Sequence, residues 1–174
     1  MYEALTDFTQ GFPLWLQWLA IVLIAAVPFI ESYVGSAVGV IAGLPLWVAI
    51  PAAVVGNTIT MVIVVLAAHT GREKVLAHQE RKAAEAGTDV EAPSPEEQTR
   101  KSRRRARVKR MFDKWGVPGV SLLGQWFLPS QITSGMMVSF GASKDRVILW
   151  QIISIVLWGI GAAAFAYFVV LGLS

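Results

Sequence analysis

Apolar positions fall into four blocks along the chain, two continuous and two broken. Residues 46–69 give twenty-four largely apolar positions. At ~1.5 Å per residue such a helix covers roughly 36 Å, enough to cross a ~30 Å hydrocarbon core with some tilt. Residues 147–172 repeat the pattern, with Gln151 and Ser154 as the clearly polar side chains. Both are predicted transmembrane helices.

The other two blocks do not read as smooth spans. Pro28, Glu31, Gly35, Gly39 and Gly43 interrupt 13–44, leaving a first piece, 13–27, of only ~22 Å as helix, too short to cross. Gly116, Pro118, Gly119, Gly124, Pro129, Gly135 and Gly141 interrupt 116–141, which also carries Gln125, Ser130, Gln131, Thr133 and Ser134. Short Gly/Pro-interrupted segments at matching places point to re-entrant helical hairpins, with non-helical backbone at depth protected by protein or lining a cavity. Pro28, Gly35, Pro129 and Gly135 are the expected hairpin breaks. At an offset of 100, Glu31 falls on Gln131, Gly35 on Gly135 and Trp47 on Val147. The predicted fold is an all-α integral membrane protein, an inverted repeat of two re-entrant hairpins each followed by a transmembrane helix. Residues 1–71 form the first half, 72–115 a basic cytoplasmic helical insert, and 116–174 the second half.

Charge sharpens this division. Residues 8–71 hold one acid, Glu31, and no Lys or Arg, whereas 72–114 hold thirteen Lys/Arg against eight Asp/Glu. Basic residues directly beside spanning segments act first as orientation signals, placing the insert in the cytoplasm at the inner (plasma) membrane. Lys144 and Arg146 then also lie inside if 116–141 dips and returns, and both termini lie outside. Nucleic-acid binding is not expected. The acidic N-terminus lacks the basic region of a cleaved signal, so the first hydrophobic segment is expected to be retained. Without cysteine, disulfides, thiolate metal sites and Cys nucleophiles are excluded.

Within the insert, Arg72–Ala86 should continue the preceding span, with Gly87 as C-cap and 88–93 as a turn. Ser94-Pro95-Glu96-Glu97 marks a new helix start. Val108, Met111, Phe112 and Trp115 then recur at helical spacing among basic residues. This amphipathic stretch is expected either to serve only as an orientation signal or to lie on an anionic leaflet, with Arg103, Arg104, Arg107, Lys109 and Arg110 contacting lipid head groups.

Glu31 is the candidate for chemistry. A carboxylate in hydrocarbon is costly unless it faces a cavity, finds partners or takes up a proton, so intramembrane acids are functional candidates by default. The bland alternative is a cap on the helix starting at Ser32. Gln125, Ser130, Gln131 and Thr133 give the second tip a neutral, hydrogen-bonding character. With Glu31, Ser32 and Asn57 they are the expected proton- and substrate-binding set. No nucleotide, nucleophile or zinc motif occurs, so neither an enzyme nor a cofactor or metal is expected.

The run Val27-Pro-Phe-Ile-Glu31-Ser, then Gly35, Gly39, Gly43-Leu-Pro45 and Gly56-Asn57, resembles the small multidrug export proteins, a family that looks related to the DedA-like membrane proteins. The second half, Gly124 through Gly141, resembles DedA-type hairpins more loosely. Such relatives carry Arg after the first-half Glu and in the second hairpin, where this chain has Tyr33, Gln125 and Gln131, which weakens an anion-gripping role. The resemblance implies paired re-entrant hairpins and membrane transport. The leading expectation is a proton-coupled exporter of small cationic or amphipathic compounds. The alternatives are a flippase or scramblase for lipids or lipid-linked phosphates and a non-transporting membrane adaptor. Expected partners are membrane lipids, a small-molecule substrate and a second copy, in a homodimer packed through Gly159, Gly161, Ala162 and Ala163.

Overall fold

A computed structural model describes the backbone of residues 1–85 and 95–173, and the side chains of residues 1–74, 104–170 and 172. The described residues form seven α-helices: α1 (Tyr2–Gln10), α2 (Gln17–Ala26), α3 (Glu31–Ile41), α4 (Leu46–Glu85), α5 (Pro95–Leu123), α6 (Ser130–Ser139) and α7 (Lys144–Leu173). Short 3₁₀ turns at Leu14–Leu16 and Gly124–Trp126 precede α2 and follow α5. Among the described residues there is no strand. Leu46–Lys74 and Lys144–Val170 are long and apolar enough to cross a membrane, so this is a membrane protein. Gly87, the turn 88–93 and Ser94 lie outside the described residues.

Helices α2 and α3 form an antiparallel pair. A methyl group at Gly35 would come within 2.8 Å of the Ala25 Cβ, and one at Gly39 would approach Ile21. Gly35 also meets Ala53, and Gly39 meets Ala49, so α4 closes over the same face of α3. At Gly56 a Cβ would collide with the Val22 carbonyl, and glycine there lets α2 lie directly on α4. Small residues permitting close backbone approach are how helices associate where no water drives them together.

The second half uses larger side chains. Helix α5 turns sharply at Gly116 (φ 63°, ψ −164°), a conformation suited to glycine, and Pro118 follows near the start of the new helical segment, where its missing N–H costs little. Ser154 Oγ donates to the Ser121 carbonyl (2.6 Å) and Trp158 Nε1 to the Leu122 carbonyl (3.1 Å), tying α7 to α5. Val108, Val117, Val120, Leu128, Met137, Val147 and Ile155 share one buried cluster.

Each hairpin ends in the same way. Gly43 (φ 95°) and Gly141 (φ 104°) take the left-handed conformation. The amides of Gly43 and Leu44 reach back to Val40 and Gly39, and those of Gly141 and Ala142 to Val138 and Met137. These are Schellman caps, with glycine at the position where a Cβ is penalised.

The halves interlock rather than sit side by side. Ser32 Oγ donates to the Ile155 carbonyl and Ser36 Oγ to the Gly159 carbonyl, both at 2.9 Å. The spacing of four on both helices makes α3 parallel to α7. In turn α6 lies on α4, with Gly135 against Val64 and Ala68.

Three expectations need correction. Gly35 and Gly135 are not breaks: both sit inside continuous helices, the former because α2 and α4 pack tightly on it. The turns fall at 27–30 and 127–129 instead, beside Pro28 and Pro129. The apolar stripe of α5 does not face outward as a whole: Val108 is buried, and Met111 and Phe112 pack on the same cluster, because the Gly116 turn brings the stripe back onto the second hairpin. Gly159 and Ala163, expected at a dimer contact, pack on this chain's own Ser32 and Val54 and in a cluster with Val40 and Ala49.

Candidate functional site

The site lies where the two hairpin turns meet. At the entry to α3, Phe29 (φ 75°) in the turn and Glu31 (φ 57°) at the helix start are non-glycine residues in the left-handed region, an uncommon conformation that clusters at functional sites. It has a structural consequence. Instead of capping its own helix, which has no side-chain cap, Glu31 reaches across to the other half. Its Oε1 accepts a hydrogen bond from the backbone N–H of Ser130, the first residue of α6. A carboxylate there satisfies a free amide and sits at the positive end of the helix dipole.

Around this contact the two halves share a polar cluster. Ser130 Oγ donates to Asn57 Oδ1 (3.2 Å), and Gln131 Nε2 donates to the same oxygen (2.8 Å) and more weakly to Thr60 Oγ1 (3.4 Å). On the far side Gln151 Nε2 donates to Thr133 Oγ1 (3.1 Å), while Thr133 and Ser134 bond back to α6's first turn. Glu31 is 1% exposed, Gln131 3%, and Asn57, Ser130 and Thr133 are fully buried.

The cluster is incompletely satisfied. Glu31 Oε2, Asn57 Nδ2 and Gln131 Oε1 are buried without a hydrogen-bond partner. Native interiors leave few such atoms, because each costs about 1–3 kcal/mol. Two acceptors and a donor left open around one carboxylate suit a small guest: a proton on Glu31, or a cationic group that donates hydrogen bonds.

Beside the turns opens an aromatic cleft of about 270 Å³, lined by Tyr33, Gln125, Trp126 and Trp158. The two indoles meet edge to face at 5.4 Å. A smaller recess of about 200 Å³ continues the lining through Phe29 and Pro129, one residue of each turn.

The candidates divide accordingly. Glu31, Asn57, Ser130 and Gln131 come together, and Thr133 joins through α6. Gln125 belongs to the cleft instead and donates to Ser154 Oγ (2.9 Å). Ser32 is turned toward α7, where its hydroxyl is used in packing. Of the basic set, Lys109 pairs with Asp113 (3.0 Å), and Arg104, Arg107 and Arg110 are exposed, the first two at the edge of a cavity against the second hairpin. The Arg103 side chain lies outside the described residues. Gln151 and Tyr33 were missed as site residues. The signal for Gln151 was its polarity within an otherwise apolar span; Tyr33 carried none beyond its place two residues after Glu31. Compared with family models, with curated proteins and with solved structures, the chain matches none.

Proposed function

We propose that this protein is a secondary transporter that exports small cationic or amphipathic compounds across the inner membrane in exchange for protons. Glu31 is the shared proton and substrate site. The observation that carries the reading is the Glu31 carboxylate, buried where the two halves meet, with Oε1 bound by the Ser130 amide and Oε2 open. A buried acid between two packed halves, with a partner for only one oxygen, is arranged to exchange a guest. The aromatic cleft beside it offers π-faces to an organic cation.

The topology belongs to the same proposal. With the insert cytoplasmic, α4 runs inward toward Arg72, and α2–α3 and α5–α6 are re-entrant hairpins entering from opposite faces. What supports depth is that Asn57 and Thr60, bonded to the start of α6, lie in the middle of the Leu46–Lys74 span. What supports inverted halves is recurrence. The α3–α7 contact has its counterpart in α6–α4, α2–α4 in α5–α7, and the Schellman cap at Gly43 in that at Gly141. This arrangement also accords with the resemblance of residues 27–57 to the small multidrug export proteins. A homodimer remains part of the reading, through α7 positions other than Gly159 and Ala163.

The test is uptake of a fluorescent organic cation into proteoliposomes under an imposed pH gradient. The wild type should accumulate the dye and Glu31→Gln, folded by its melting profile, should fall to the empty-liposome rate. Uptake in Glu31→Gln equal to wild type, or in the wild type without a gradient, would overturn the assignment.

A further inference from the structure

A cavity of about 430 Å³ lies away from the acidic site, between the basic stretch of α5 and the second hairpin. Arg104 and Arg107 form one side, and Val108, Met111, Val120 and Leu128 form apolar walls. The two arginines are three residues apart and so share one helix face. The Gly116 turn directs that face at the hairpin, and buried Val108 holds it there. The Arg107 guanidinium lies 5.3 Å from the centre of the Phe127 ring, on the hairpin turn.

Arg104 and Arg107 are both exposed, so their guanidiniums stand at the mouth of the apolar cavity, where an anionic head group at a membrane surface can reach them. Among the described residues no carboxylate pairs with either. Lys109, by contrast, already has Asp113. Guanidinium forks match phosphate oxygens in a bidentate manner, and the apolar side of the cavity suits an alkyl chain. A ligand that meets both demands is an anionic amphiphile.

We propose that this cavity is a binding site for one acidic phospholipid per chain, its phosphate held by Arg104 and Arg107 and the start of one acyl chain lying between Met111, Val120 and Leu128. The lipid then clamps the insert helix to the hairpin that carries Ser130. The inference requires only that the protein lies in a membrane and is independent of the transport reading.

Native mass spectrometry of the full chain, delipidated in detergent and titrated with defined ligands, tests it. Phosphatidylglycerol should bind one per chain; phosphatidylcholine and inorganic phosphate should not be retained. Arg104→Gln/Arg107→Gln should weaken the lipid about tenfold or more. Met111→Trp, which fills the cavity and keeps both arginines, should weaken it comparably. Lys109→Gln/Arg110→Gln removes the same charge outside the cavity and should stay within about twofold. Equal losses in the two charge pairs would show diffuse attraction and overturn the site. So would unchanged affinity in Met111→Trp, equal binding of phosphatidylcholine, or phosphate retained as well as the lipid. Matching melting profiles for the variants separate these losses from misfolding.

Discussion

The two hairpins occupy corresponding places and end in the same glycine cap, yet they are built differently. In α2–α3, Gly35, Gly39 and Gly56 bring backbones into contact, and the turn and helix start hold two residues in left-handed conformation. In α5–α6, larger side chains share the core, α7 hydrogen-bonds to both helices through Gln151, Ser154 and Trp158, and the turn enters α6 through extended Pro129 (φ −52°, ψ 147°). The first hairpin therefore delivers an acid, and the second delivers the bare N-terminus of a helix. Neither alone has a satisfied tip. The difference teaches that the site is a property of the interlock, not of either half.

Four measurements can break or sharpen that contrast, all by thermal unfolding in detergent. The largest effect is expected at Gly56→Ala: its Cβ meets the Val22 carbonyl, and moving backbone should cost about 3 kcal/mol. The corresponding α5–α7 crossing should lose less, about 2 kcal/mol, in Trp158→Phe, which removes one hydrogen bond and part of the ring packed on Trp126. Next is Glu31→Ala, which leaves the buried Ser130 amide without its acceptor and should cost about 2 kcal/mol. Gly35→Ala and Gly135→Ala test the aligned pair directly. The first should destabilise by about 1.5 kcal/mol because the methyl group would press on Ala25 and Ala53. The second meets only ordinary contacts with Val64 and Ala68, and should be neutral or stabilising by about 0.5 kcal/mol through helix propensity. A similar cost at both would erase the contrast. The smallest effect is the coupling between Asn57→Ala and Gln131→Ala in a double-mutant cycle, about 0.6 kcal/mol, as for interhelical polar pairs in membranes.

Much of this was legible because hydrocarbon imposes simple rules. Two uncharged runs of spanning length became α4 and α7, and breaks near Pro28 and Pro129 became turns. That Glu31 would need partners followed from its isolation among apolar residues. Its partner followed only in part: the second hairpin tip, Ser130 included, was grouped with Glu31, but a sequence does not show that the donor is the Ser130 backbone amide, ninety-nine positions away, and local capping was the alternative. Gly35 and Gly135 were misread because glycine signals both a broken helix and a close contact, and only the neighbouring helix distinguishes them. The folding back of α5 turned on the single dihedral pair of Gly116, which periodicity at Val108, Met111 and Phe112 does not encode.

The meeting of the two turns is tested most directly at the Ser130 amide itself. With serine ¹⁵N-labelled, and the resonance assigned through Ser130→Ala, the Ser130 N–H in the wild-type protein in lipid should be shifted far downfield and protected from exchange. In Glu31→Ala it should move upfield and exchange faster, while the Ser36 and Ser154 amides, on the α3–α7 side, stay in place. A Ser130 amide whose shift and protection are the same with and without the Glu31 carboxylate would contradict the shared site.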